Sequence, residues 1–121
     1  MSDVERLSAE RPWGAWHVLD AGPGYKVKRI EVNPGHRLSY QTHDRRAEHW
    51  LVVTGTATCV LDGQVVTAGP GDHVDVAQGV AHRICNDSAE LLVVIETQRG
   101  VYTEEDDIVR LEDDYDRCET S

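Results

Sequence analysis

Gly35-His36-Arg37-Leu38-Ser39-Tyr40-Gln41-Thr42-His43-Asp44-Arg45-Arg46-Ala47-Glu48-His49-Trp50-Leu51-Val52-Val53-Thr54-Gly55 is the stretch that decides the fold. Glycines bound two extended segments, and within them Gln41, His43 and Glu48 supply an amide, an imidazole and a carboxylate. Side chains at i and i+2 of a strand share a face, so Gln41 and His43 point together while Glu48 lies on the face of Trp50 and Val52. His49 falls on the opposite face and is left out of the donor set. A second stretch, Gly71-x5-Ala77-Gln78-Gly79-Val80-Ala81-His82-x3-Asn86, adds another imidazole. Together these donors suit a divalent ion, Zn²⁺ foremost and Mn²⁺, Co²⁺ or Fe²⁺ as alternatives, with positions open to water. One carboxylate leaves such an ion net positive, a Lewis acid able to polarise a carbonyl.

Working outward, hydrophobic alternation recurs in short bursts broken by turn signals. Strands are expected over 15–19, 25–32, 49–53, 56–61, 64–68, 73–76, 81–85 and 91–98, with Asp62-Gly63 as a type I′ hairpin turn. So many short strands in 121 residues predict an all-β barrel or sandwich. The last twenty or so residues suit either a short acidic helix or an extended strap. Length and a 40% hydrophobic content predict one domain over 1–121, with 104–121 as an acidic tail.

The formal charge of −10, with only two lysines, argues against nucleic acid as a partner. The acidic run from Glu104 onward reads as solvated surface. Cys59, Cys85 and Cys118 are odd in number and widely spaced, as in a protein of the reducing cytoplasm. No basic and apolar leader opens the sequence, and no apolar run approaches the roughly 18 residues of a membrane span.

The two stretches resemble the signature motifs of the cupin superfamily. The first, G-x5-H-x-H-x3,4-E-x6-G, fits with Gln41 in place of its first histidine; the second, G-x5-P-x-G-x2-H-x3-N, fits with Ala77 in place of proline. The resemblance implies a double-stranded β-helix, a small jelly-roll-like barrel, with Gln41, His43, Glu48 and His82 holding a metal in its mouth. Arg11-Pro12-Trp13-Gly14, Val27-Lys28-Arg29-Ile30, Arg46-Ala47-Glu48-His49-Trp50 and the segment from Glu105 to Tyr115 are similar, in order, to the C-terminal domain of type II mannose-6-phosphate isomerases. Many members carry a guanylyltransferase domain before it, which this sequence lacks, so a stand-alone isomerase cupin is expected. His43-Asp44-Arg45-Arg46 departs from a commoner run of histidines, and Asp116 stands where glycine is usual, changes that bear on which sugar is bound.

That resemblance implies interconversion of mannose 6-phosphate and fructose 6-phosphate through a cis-enediol, by a cytoplasmic homodimer. Arg46, on the face of Glu48, suits electrostatic help or phosphate contact. Lys28, sharing parity with Ile30 and Val32, enters the cavity beside Lys26 as a second catalytic or phosphate-binding candidate. Ser39 sits in the S-x-Q-x-H pattern of the zinc-dependent type I isomerases, where such a serine lies near the phosphate, and Arg110 is the substrate-binding candidate from the tail, with Arg117 beyond it. No spare carboxylate or histidine is placed by motif to act as the base. The blander alternatives are a snorkelling edge lysine for Lys28, a structural ion pair with an acidic neighbour such as Asp44 for Arg46, and core packing for Trp13, Trp16 and Trp50. Two competing functions are a non-catalytic metal- and sugar-binding cupin and a cupin oxygenase, the latter disfavoured by the amide donor.

Overall fold

A computed structural model describes residues 7–115, and these are built from strands and turns, with no helix among them. Chain order gives β1 (Ser8–Arg11), β2 (Gly14–Gly22), β3 (Tyr25–Val32), β4 (Tyr40–Thr42), β5 (Arg46–Thr54) and β6 (Ala57–Leu61). They are followed by β7 (Gln64–Ala68), β8 (His73–Val76), β9 (His82–Cys85), β10 (Leu92–Gly100) and β11 (Val109–Glu112). All pairings are antiparallel. One sheet runs β1-β2-β3-β10-β5-β8 and the other β11-β4-β9-β6-β7.

The core gathers inward residues of both sheets, among them Trp16, Val32, Val52 and Leu92 from the first and Cys59 and Ile84 from the second. With no phenylalanine in the chain, tryptophan and β-branched residues fill it, as a pleated surface favours. Trp13, Trp16 and Trp50 are all buried. Asp62 (φ 47°) and Gly63 (φ 83°) both take left-handed backbone between β6 and β7, which is the type I′ hairpin expected. Gly55 (φ 81°) ends β5 where an added Cβ would meet the Leu91 carbonyl at 2.8 Å, so this motif glycine is required twice over.

Three strands escape the sequence pattern. β1 and β11 are edge strands of four residues with mixed exposure, and β4 has three residues, too few for alternation to register. β11 also settles the tail: it pairs with β4 (Val109↔Thr42, Arg110↔Gln41), so the strap is extended rather than helical through Glu112. Arg117, Asp116 and Cys118 lie outside the described residues.

Candidate metal centre and its pocket

The inward face of β3, β10 and β5 alternates in polarity along its length rather than across it. Register aligns Lys26 with Gln98 and Glu48, and Lys28 with Glu96 and Trp50. All six are buried. Across the other sheet a second row runs Arg110↔Gln41↔His82. Lys28, Glu48, Trp50 and Glu96 of the first row and all three residues of the second line one pocket, with an interior volume of about 100 Å³.

At its base His43, Glu48 and His82 place donor atoms within 4.8 Å of one another. His43 Nε2 lies 3.1 Å from Glu48 Oε2, and His82 Nε2 3.7 Å from Glu48 Oε1. Ligands about 2.1 Å from a tetrahedral ion stand about 3.4 Å apart, so the cluster has the right span. Both imidazoles are locked: His43 Nδ1 donates to the Asp107 carbonyl at 2.6 Å and His82 Nδ1 to the Val80 carbonyl at 2.8 Å. Each Nε2 lone pair is thereby turned toward the cluster, as metal-binding histidines require. Gln41 stands directly across from His82; its Nε2 donates to Ser39 Oγ at 2.9 Å, leaving Oε1 as its donor. These residues fit a divalent ion.

Burial alone would raise the Glu48 carboxyl, but its contact with the His43 ring and the fields of His82 and His43 hold it well below the ordinary range. Trp50 Nε1 donates to Glu48 Oε1 at 2.9 Å, and Arg46 Nε to Oε2 at 3.1 Å. Burial lowers His82, which favours the neutral ligand form. Glu96 behaves in the opposite way to Glu48: burial first, then the neighbouring Glu48 charge, push it up to about 8. Gln98 Nε2 donates to Glu96 Oε1 at 2.7 Å.

The structure decides several alternatives. Lys28 is no edge lysine: it is 4% exposed, with Nζ 4.3 Å over the Trp16 ring. Arg46 does pair with an acidic neighbour, Glu48 rather than Asp44, and also contacts the Glu104 carbonyl. Ser39 lies beneath Gln41 and positions its amide; Arg110 lines the pocket wall. The reading of the acidic run as solvated surface needs correction, because Glu105 turns inward onto Lys28 at 2.8 Å and Asp107 accepts from the backbone nitrogens of Asp44 and Arg45. His49 pairs outside with Asp75 at 2.5 Å. Sequence reasoning passed over Glu96, Gln98, Glu105 and Arg83. The first two had a signal, polar residues at the inward parity of an apolar strand; Glu105, on an irregular segment, and Arg83, amid a four-residue strand, had none.

Two antiparallel sheets enclosing a His-Glu-His cluster make this a cupin, of the double-stranded β-helix class. More narrowly, the chain belongs to the family described as Mannose-6-phosphate isomerase C-terminal, which matches residues 3–113. It is 47% identical over 107 residues to the mannose-1-phosphate guanylyltransferase ManC of Salmonella typhimurium, covering 88% of this chain and 22% of that protein. The chain spans less than a quarter of the length of the curated relatives it matches. Among solved structures, a cupin-superfamily sugar phosphate isomerase from Silicibacter pomeroyi superposes with TM-score 0.65 at 18% identity, over 70% of this chain and 58% of that one. Oxalate decarboxylase of Lactobacillus farciminis gives 0.76 at 18% identity, over 89% and 34%. Two such different reactions on one scaffold leave the chemistry to the site.

Proposed function

We propose that the chain is a metal-dependent aldose-ketose isomerase interconverting mannose 6-phosphate and fructose 6-phosphate through a cis-enediol, with Gln41, His43, Glu48 and His82 holding the ion. The observation that carries this reading is the charge of the pocket in a protein of net charge −10. Arg11, Lys28, Arg46, Arg83 and Arg110 line it beside the donor cluster, against the carboxylates of Glu48, Glu96 and Glu105. A cationic cleft in an acidic protein selects an anionic substrate, and guanidinium groups match phosphate geometry.

When bound, a divalent ion supplies Lewis-acid stabilisation of the negative charge that develops on substrate oxygens. Arg46, whose Nη2 lies 3.1 Å from Glu48 Oε2 and 3.2 Å from His43 Nε2, adds a fixed positive charge beside those oxygens. Glu96 is the buried pocket carboxyl outside the donor cluster, and we assign to it the proton transfer between C1 and C2 that an isomerase needs. Trp16 and Trp50 wall the reacting end from water. Family membership supports the substrate class. The same reading has the enzyme working in the cytoplasm as a homodimer, which light scattering on the purified protein checks.

The test is turnover of mannose 6-phosphate by protein loaded with Zn²⁺, Mn²⁺, Co²⁺ or Fe²⁺, beside Glu48→Ala. Metal-dependent formation of fructose 6-phosphate that disappears in the variant is expected. Stoichiometric metal binding without turnover under any metal would overturn the isomerase assignment in favour of a sugar-binding cupin.

A further inference from the structure

The outer face of the first sheet carries a second gathering of metal-ligand side chains, on the side of β5 turned away from the pocket. His49 of β5 stands opposite Asp75 of β8, and His73 of β8 stands opposite Leu51, so the two histidines are diagonal neighbours across the strand pair. Aromatic side chains reach one another from such positions. Here the two rings have centres 5.1 Å apart and are inclined at 36°. His49 Nδ1 lies 2.5 Å from Asp75 Oδ1, and the side chains of His49 and Asp75 are 44% and 81% exposed. His73 is exposed as well.

The inner cluster supplies a measure for this outer one. There the rings of His43 and His82 have centres 4.8 Å apart at 47°, close to the outer values. Two imidazoles on one ion, each bound through a nitrogen at about 2.1 Å, have ring centres about 4.5–5.3 Å apart for coordination angles near 90–110°. Both pairs fall within that interval. The inner rings are oriented by carbonyl acceptors at Nδ1, whereas His49 is oriented by a carboxylate. A carboxylate only accepts, so Nδ1 of a neutral His49 ring carries the proton and Nε2 the lone pair. A carboxylate behind an imidazole raises its basicity as a ligand. One difference separates the two clusters. The inner one gathers three donor atoms within 4.8 Å, while the outer one offers two imidazoles, its carboxylate being taken up in orienting one of them. The outer pair therefore binds an ion more weakly and leaves the remaining positions to water.

We propose that His49 and His73, with Asp75 orienting His49, form a second, solvent-facing site for a divalent transition metal of the Zn²⁺, Ni²⁺ or Cu²⁺ kind. Imidazole suits these ions, whereas Mg²⁺ and Ca²⁺ take oxygen donors. The site is independent of the pocket's substrate. Its ion bridges β5 to β8, the four-residue edge strand whose neighbour in the sheet is β5. It thus clips that edge, and a ligand held by the folded chain alone raises stability.

The test is calorimetric titration of Zn²⁺ into untagged protein and its variants. One ion per chain should be lost in His49→Ala and equally in His73→Ala, and that ion should be kept in His82→Ala, which disables the inner centre. Asp75→Asn should keep it with affinity lowered about 10–100-fold. Ni²⁺ should compete for it and Mg²⁺ should not. In the His82→Ala protein Zn²⁺ should raise the melting temperature, and the rise should be absent from His82→Ala/His73→Ala. An ion that survives either outer substitution would overturn the site, as would one that Mg²⁺ displaces as readily as Ni²⁺. Absence of any ion from His82→Ala would do the same. So would a stoichiometry of one ion to two chains, which would place the metal between copies rather than on one.

Discussion

The same inward face of three neighbouring strands is polar at one end and apolar at the other. On β3 Lys26 and Lys28 give way to Ile30 and Val32; on β10 Gln98 and Glu96 give way to Val94 and Leu92; on β5 Arg46 and Glu48 give way to Trp50 and Val52. All twelve residues are buried. The apolar end is held by removal of surface from water, about 1.5–3 kcal/mol for each fully buried aliphatic side chain. The polar end gains little of this and persists because each charge faces an opposite one or a donor. Stability and function therefore occupy opposite ends of one layer, and a substitution should damage one or the other according to the end it strikes.

The sharpest attempt to break this division is His82→Ala at the polar end. Loss of stoichiometric metal and a fall in turnover of about 10³-fold or more are expected, with the melting temperature of metal-stripped protein little changed. Metal analysis beside steady-state kinetics checks it. At the other end, Leu92→Ala deletes a side chain that is fully buried and leaves a cavity. A loss of about 2–5 kcal/mol should appear in denaturant unfolding, while metal stoichiometry of the folded protein stays the same. If Leu92→Ala released the metal before unfolding, the two ends would be one cooperative unit and the division would fail.

This division was half legible in the amino-acid sequence. Strand parity put Lys28, Glu48, Trp50 and Val52 on inward faces, and the expected limits of β3, β7 and β8 coincide with the observed ones. The convergence of His43, Glu48 and His82 followed from motif spacing. What could not be read was register. Nothing local says that Glu96 lies opposite Lys28 and Trp50, or Gln98 opposite Glu48, because pairing of strands more than forty residues apart is set by the packed sheet. Nor could an acidic segment reveal that Glu105 turns inward while its neighbour Asp106 stays exposed, since that depends on the two lysines waiting across the pocket.

Trp50 marks the boundary between the ends, its ring in the core and its N–H on Glu48. Trp50→Phe keeps most of the apolar volume and removes only the hydrogen bond. Outer-shell donors of this kind are worth about 10–100-fold in metal affinity, so chelator competition should show a loss in that range with a much smaller change in unfolding free energy. A large loss of stability with affinity intact would assign Trp50 wholly to the core.

The smallest effect is expected at the rim, where Arg37 grips Asp114 through Nε (2.7 Å) and Nη2 (2.9 Å) with both side chains about two-fifths exposed. The hydrogen bond from Arg37 lowers the Asp114 carboxyl below its ordinary 3.8. A depressed carboxylate contributes stability that is present above the unfolded value and lost as pH falls through the folded one. Solvent screening limits the pair to less than about 1 kcal/mol. Asp114→Asn should therefore differ from the unsubstituted protein only slightly at neutral pH in low salt, less still in high salt, and not at all well below pH 3.8. Parallel unfolding curves across that range check it. A salt-insensitive difference of several kcal/mol would place this pair with the buried charges of the pocket, and the polar end would then extend to the rim that fastens the strap formed by β11.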